Sequence, residues 1–485
     1  MLPLSVQEIL KATGGISCTL TQRSVPKRAL AKNQIISGIS TDTRMMKPGE
    51  IFIALAGNHF DGHAFVAEAL RKGAVGVVVQ RSGKNALAAA LRSDAAAKNG
   101  FFIISVKDTL AAYGDIARYY RKKFTIPLIG ITGSNGKTTT KEMACSVLSA
   151  KFGVLKNAGT QNNEIGLSKT LLALAPEHDI GVLELGSNHR GEIRRLAQIL
   201  KPGVGIITNI GPSHLEFLKS VEGVYREKRS LIGALDKGAT AIINGDDLFL
   251  GRIQGLSCQK ITFGMAASCD VRASAIVRRK GAFIFRVNDR YDFNIKALGI
   301  HNIYNALAAI AVGLLFKVDY DAMYTALARY QPIGGRLSLR RFGDIEVIDD
   351  SYNANPASVS NALQVLSEYT CAGNRVVVCG DMCELGKDAE QYHTNMGRAA
   401  AVMRADYVIA VGRFAETVRE AALQHGMSGE QVFACKDRSE AVGLLRKILQ
   451  PKDVVLVKGS RRIQLDEVVH ALSSFVPATR DMVRV

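Results

Sequence analysis

The stretch Gly130-Ile131-Thr132-Gly133-Ser134-Asn135-Gly136-Lys137-Thr138 sets the tightest limit on what this chain can fold into. It follows an apolar run at 128–131 and opens a segment in which Met143, Ala144, Val147 and Leu148 recur at helical spacing. A strand handed to a helix through glycines turns backbone N–H groups inward, with the positive end of the helix behind them. Lys137 adds a point charge, and Thr138 a hydroxyl suited to Mg2+. The spacing departs from the common phosphate loop, since Ile131 stands five residues before Gly136 where that form has glycine. A plain glycine turn explains the glycines but not the Lys-Thr pair at the helix start, so a phosphate is expected here.

Short apolar runs alternate with helical stretches elsewhere, and at roughly 150 residues per domain the 485 residues suggest about three domains. The expected fold class is α/β. Residues 1–106, with runs at 51–55, 75–79 and 101–106, read as a small α/β recognition domain. Residues 107–334, with strands at 128–131, 182–185, 204–208 and 241–243, read as a central parallel-sheet P-loop domain. Within it, 260–298 alternates around the turn Asn288-Asp289-Arg290, which predicts a small antiparallel insert. Residues 335–485, with strands at 345–348, 376–379, 407–411 and 454–457, read as a Rossmann-like domain.

Sixty-two basic against 44 acidic residues give a net charge of +18, which suits a polyanionic partner. The basic run at 118–123 has no nucleic-acid motif beside it and reads as a solvated helix end, so no nucleic acid is expected. The eight cysteines are scattered, and Cys379 and Cys383 lack the second pair that a zinc cage needs. No apolar run approaches the roughly 18 residues of a membrane span, and the first residues lack the order of a signal peptide. No membrane insertion, a cytoplasmic location and a monomer are therefore expected.

Several further residues stand where parallel sheets place their chemistry. Glu184 ends a strand, where a carboxylate could reach a metal beside the loop or simply cap the turn. His214 follows the next strand, and Lys228 lies where the following helix could point it back. Asn302 and Asn305 share a helix face and could bond an adenine edge, although Asn302 could equally cap that helix. Arg336, after Gly334-Gly335, could reach a transferred phosphoryl group. The turn at 349–356 (DDSYNANP) collects groups that can orient a substrate.

Together these segments resemble the Mur ligase family, the ATP-dependent amide-forming enzymes of peptidoglycan precursor synthesis. The resemblance runs nearly end to end through GITGSNGKTTTKE (130–142), TQNNEIG (160–166), ELGSNHRGEI (184–193), ITNIGPSHLE (207–216) with Lys228, and GIHNIYNALAA (299–309). DDSYNANP, GDMCELG (380–386), VKGSR (457–461) and the N-terminal STDTR (40–44) resemble the members that attach D-alanyl-D-alanine to a UDP-N-acetylmuramoyl tripeptide. The resemblance implies that Gly133, Ser134, Asn135, Gly136, Lys137, Thr138 and Thr139 cradle the ATP phosphates. It implies one Mg2+ at Thr138 and Glu184, and a second at His214 and Lys228, with Lys228 carbamylated. It implies Asn302 and Asn305 at adenine, Asp350 at ribose and Arg336 at the γ-phosphate. Lys137, Glu184, His214, Lys228 and Arg336 are then the catalytic set. Asn353 and Asn355 would face the dipeptide; Ser40, Thr43 and Arg44 the uridine nucleotide; and Asn162, Asn163, Ser187 and His189 the muramoyl peptide.

Overall fold

The computed structural model describes residues 2–18, 34–57, 60–82 and 101–474, and the chain divides into two compact units. One holds the chain up to Gly130 with 152–186 and 194–203; the other holds 131–151, 187–193 and the chain from Val204 onward.

In the first unit a five-stranded sheet runs in the order Ile16–Cys18, Phe102–Val106, Gly76–Gln80, Glu50–Ile53, Gly38–Ser40. Its last four strands are parallel, and only the Ile16–Cys18 edge is antiparallel. Phe52, Val77, Val79 and Ile103 fill one face against Val66 and Ala69 of the helix Val66–Arg71. The strand pair Val154–Lys156 and Ile180–Glu184, also parallel, belongs to this unit. The helix Thr109–Arg121 starts at Asp108, whose carboxylate accepts from the N–H groups of Leu110 and Ala111. The basic run at 118–123 ends this helix: Lys122 and Lys123 are exposed, as expected of a solvated helix end, whereas Arg118 and Arg121 are half-buried. Arg121 donates to Leu200 O, and burial pulls its pKa down; Lys123 pairs with Glu8 at 2.7 Å.

In the second unit the parallel strands Val204–Ile207, Thr240–Asn244 and Gln259–Gly264 lie side by side. The antiparallel part begins only at Val271–Arg279, which pairs with Ala282–Val287, itself paired with Tyr291–Ile295. Asn288 and Asp289 both take positive φ, and Arg290 N–H closes the turn on Val287 O at 3.1 Å, as the hairpin signal demands. A six-stranded sheet follows in the order Ser338–Phe342, Ile345–Asp350, Val454–Lys458, Arg375–Gly380, Tyr407–Val411, Val432–Cys435. It is parallel apart from the first pair, and the strands Ser338–Phe342 and Val432–Cys435 are additions to the sequence reading. Helices cover both faces: Val359, Leu363 and Leu366 pack on one, Ala441, Leu445 and Val468 on the other. The described cysteines whose side chains are placed are free thiols. No helix among the described residues is long and apolar enough to cross a membrane.

Candidate active site

The strand Leu128–Thr132, buried throughout, feeds the glycine loop, and the helix Lys137–Leu148 leaves it with Met143, Ala144, Val147 and Leu148 in the core. Gly136 caps this helix with a left-handed backbone (φ 78°) and no side chain, so the first N–H groups keep the anion-binding character of a bare helix end. A Cβ there would stand 2.3 Å from Asn305 Oδ1, and one on Gly133 (φ 145°) 2.0 Å from Thr208 Oγ1. Both positions therefore need glycine for space as well as for backbone angle.

Thr208 and Asn209, at the end of the neighbouring strand, form the loop's wall, a role the sequence reading did not give them. Thr208 Oγ1 donates to Asn135 O at 2.5 Å, Asn135 N–H donates to Asn209 Oδ1 at 3.0 Å, and Ser134 N–H to Asn209 O at 2.9 Å. Ser134 Oγ donates to Gly211 O and accepts from Ser213 Oγ. Lys137 Nζ folds over the loop onto the carbonyls of Gly133 (2.9 Å) and Ser134 (3.2 Å), within reach of whatever the loop holds. Thr138 is buried at the helix start, and Thr139 bonds Tyr330, whose phenol burial pushes up to about 12.

Asn302 and Asn305 are buried behind the loop. Asn305 Oδ1 accepts from Thr140 Oγ1 at 3.1 Å, Asn305 Nδ2 donates to Asn302 Oδ1, and Asn302 Nδ2 donates to Leu298 O. In this arrangement the two amides brace the loop.

Glu184 lies in the first unit, at the end of its strand and 1% exposed. Its Oε1 accepts from Asn162 Nδ2 at 2.7 Å, and its N–H donates to the buried Asn157, another residue the sequence reading passed over. Asn163 caps the helix Glu164–Leu172. Ser40 closes a turn on Asp42, and Thr43 O accepts from Lys72. Arg44, 86% exposed, pairs with Asp42 and holds that carboxyl down to about 2.

In the second unit Lys228, 1% exposed on the helix Val221–Arg229, donates to Ser187 Oγ at 2.7 Å, joining two residues the sequence placed apart. His189 packs against Phe217 with 4.2 Å between ring centroids and the ring planes tilted by 41°. His214, in left-handed backbone (φ 53°), puts Nδ1 2.5 Å from Glu384 Oε2, and this hydrogen bond holds the Glu384 carboxyl below its usual range.

The turn at 349–356 comes directly against the loop. Asn355 caps the helix Pro356–Glu368 through Oδ1 and donates through Nδ2 to Asn135 Oδ1 at 2.7 Å. Asp350 accepts from Lys458 Nζ at 2.6 Å and from Leu337 N–H; burial pushes its carboxyl up while Lys458 pulls against it. Lys458 also holds Asn353 O, and Asn353 Oδ1 accepts from Arg461 N–H. Asp349 is taken up by Arg340 and Ser351. Arg336 places its Cζ over the Tyr352 ring, 4.1 Å from the centroid, a cation–π contact that supports the guanidinium. Lys458 and Glu384 sit in stretches that were legible as motifs, but nothing local gave them these partners.

Among the described residues no cluster of three or more His, Cys, Asp or Glu side chains forms a metal cage. The donors present still fit Mg2+, which takes few protein ligands and completes its shell from phosphate and water. In the second unit the Thr138 hydroxyl is an oxygen donor of that kind and His214 Nε2 adds a nitrogen; the buried Glu184 carboxylate is an oxygen donor of the first unit.

An α/β chain with this loop, an arginine over an aromatic ring and parallel-sheet domains has the makings of a nucleotide-dependent ligase, and the chain belongs to the Mur ligase family. Residues 35–121 match the model of the Mur ligase family, catalytic domain; 131–313 the Mur ligase middle domain; and 335–461 the Mur ligase, glutamate ligase domain. Among particular relatives, the chain is 33% identical over 90% of its length (93% of the relative) to UDP-N-acetylmuramoyl-tripeptide--D-alanyl-D-alanine ligase of Bacillus subtilis. It is 35% identical over 90% (94% of the relative) to the ligase of the same name from Escherichia coli. Its fold is similar to a crystal structure of MurF from Acinetobacter baumannii, at TM-score 0.84 and 31% identity, covering 98% of this chain and 99% of that one. It is also similar to the MurF ligase of Thermotoga maritima in complex with ADP, at TM-score 0.78 and 26% identity, covering 90% and 96%.

Proposed function

We propose that this protein is an ATP-dependent amide ligase that joins D-alanyl-D-alanine to UDP-N-acetylmuramoyl tripeptide, giving ADP, phosphate and the UDP-muramoyl pentapeptide of peptidoglycan synthesis. The single observation that carries it is the Asn135–Asn355 bond of 2.7 Å, which ties the phosphate loop to the DDSYNANP turn typical of dipeptide-adding members. Relatives of that name, matched over nine-tenths of the chain, support the same substrates.

A carboxylate is a poor electrophile, so its oxygen must become a leaving group before an amine can displace it. The terminal carboxylate of the tripeptide attacks the γ-phosphorus in line, the bond to ADP breaks, and an acyl phosphate forms. Lys137 trades the carbonyls of Gly133 and Ser134 for phosphate oxygens, and Arg336, supported by the Tyr352 ring, takes charge from the other side. Bound Mg2+ would neutralise phosphate charge, with Thr138 and Glu184 as ligands at one site, and His214 and Lys228 at a second. Lys228 would be carbamylated there, since a buried ammonium repels a cation whereas a carbamate offers it oxygen. The free amine of the dipeptide then attacks the acyl carbon, loses a proton, and phosphate leaves. Asn353 and Asn355 would orient the dipeptide, and Asn302, Asn305 and Asp350 the nucleoside of ATP. Asn162, Asn163, Ser187 and His189 would hold the muramoyl peptide, and Ser40, Thr43 and Arg44 the uridine nucleotide.

Three successive domains, 1–106, 107–334 and 335–485, would serve uridine nucleotide, ATP and dipeptide in that order; that three family models match one after another, at 35–121, 131–313 and 335–461, supports a three-part chain. The substrates are small anionic molecules, which the +18 charge suits; a cytoplasmic monomer is the state in which we expect the enzyme to act. Phosphate release from ATP and Mg2+ with the muramoyl tripeptide, followed with the pentapeptide mass, tests this. Stoichiometric product only with D-alanyl-D-alanine is expected. Turnover with a single amino acid instead would keep the family chemistry and overturn the substrate.

A further inference from the structure

We infer that Glu384 is a positioning residue for His214: its carboxylate holds the imidazole with the proton on Nδ1, leaving the Nε2 lone pair free for a cation. The inference rests on the reading of His214 as a metal ligand. Its starting point is the 2.5 Å contact between Nδ1 and Glu384 Oε2, joining residues 170 apart in sequence, with both side chains 22% exposed. A floppy surface pair would need no further support, but this one is held from both ends. On one side, His214 takes a left-handed backbone and opens the short helix Leu215–Leu218, whose Leu215 and Leu218 are buried with Val224. On the other, Glu384 also has positive φ (62°), and its carbonyl accepts Glu216 N–H at 3.0 Å, so backbone and side chain both grip the 214–216 segment.

The loop that presents Glu384 is itself fixed. Cys383 N–H donates to Ser460 Oγ at 2.8 Å, and Met382 N–H donates to His393 Nε2 at 2.9 Å. His393 in turn places Nδ1 2.6 Å from Ala389 O, so its proton must lie on Nδ1 for both contacts to be hydrogen bonds. Gly386 (φ 68°) lets the chain pass close to Glu216, where a Cβ would stand 3.3 Å from Glu216 Cα. Met382, Cys383 and Glu384 are thus tied down in succession around one carboxylate aimed at one ring nitrogen. An anion accepting from Nδ1–H fixes both the tautomer and the ring plane, and makes Nε2 a better donor to a cation. Glu384 touches no reacting atom in this scheme; it acts through His214.

The test uses the full chain labelled with 15N-histidine. With nine histidines in the sequence, a long-range proton–nitrogen spectrum can be assigned at His214 by comparison with His214→Gln. The metal-free protein is expected to show the Nδ1–H tautomer at His214, lost in Glu384→Ala. A dominant Nε2–H tautomer in the unsubstituted chain would overturn the inference. In parallel, Mn2+ binding in the presence of ADP is read by electron paramagnetic resonance. Glu384→Gln is expected to weaken it by about tenfold to a hundredfold, with partial recovery in Glu384→Asp. Melting curves show that each variant is folded. Unchanged or tighter Mn2+ binding in folded Glu384→Gln, while His214→Gln weakens it, overturns the inference alone. Unchanged binding in His214→Gln overturns the metal reading together with it.

Discussion

Replacing Gly133 with alanine would set a Cβ 2.0 Å from Thr208 Oγ1 and 3.1 Å from Thr208 N, in a backbone at φ 145° that side-chain-bearing residues rarely adopt. The backbone strain costs about 1–3 kcal/mol. Thr208 must also swing away, losing its bond to Asn135 O, for about 0.5–1.5 kcal/mol more. The loss is therefore about 1.5–4.5 kcal/mol, located in the phosphate loop. Melting and denaturant curves should register it, and the KM for ATP should rise because Asn135 keeps its bonds to Asn209 and Asn355 but loses the one from Thr208. The two contributions separate in the Thr208→Ala background, where neither the hydroxyl nor its hydrogen bond remains. There Gly133→Ala should cost only the backbone share, so a double-mutant cycle should yield a coupling of about 0.5–1.5 kcal/mol. If the double variant instead equals the sum of the singles to within about 0.5 kcal/mol, the contact with Thr208 is not what requires glycine, and the reasoning fails.

Asn355→Ala should lower stability by about 0.5–2 kcal/mol through the lost helix cap and raise the KM for ATP; Asn355→Asp should restore the cap but not the donor to Asn135. Equal KM values for Asn355→Asp and the unsubstituted chain would sink the bridging role. Lys458→Met strands Asp350 without its cation and should cost about 3–5 kcal/mol by chemical denaturation, much of it recovered when Asp350→Asn is added. Burial, helped by the charge of Lys458, pulls the His301 pKa from 6.5 down to about 4. A histidine lowered on folding gives stability that is complete above pH 6.5 and lost as pH falls toward 4, so His301→Gln should flatten the acid side of the stability curve in that window. An unchanged acid limb would mean that the ring is already hydrated.

The local parts of this protein are written in its sequence. Glycines at 133 and 136 between an apolar strand and an amphipathic helix, with Lys137-Thr138 at the helix start, point to a phosphate loop, and Asn288-Asp289 to a hairpin turn, because backbone angle and side-chain period are properties of neighbouring residues. The alternation of strands and helices gave the α/β class for the same reason. It did not give the neighbours of each strand. Asp350 and Lys458 are 108 residues apart and meet because Val454–Lys458 inserts beside Ile345–Asp350 in a register that sets the two residues side by side. Asn135 finds Asn355 across 220 residues, and His214 finds Glu384 across 170. Those pairings settle what each side chain can do. Asn355 serves the loop as well as its own helix, Asp350 answers a buried lysine, and the His214 ring is aimed by a carboxylate from another domain-sized segment. Sequence fixes which residues form a strand through short-range sterics and hydrophobic period, whereas strand order depends on how whole faces pack. Only the folded chain decides which polar groups, once buried, must satisfy one another.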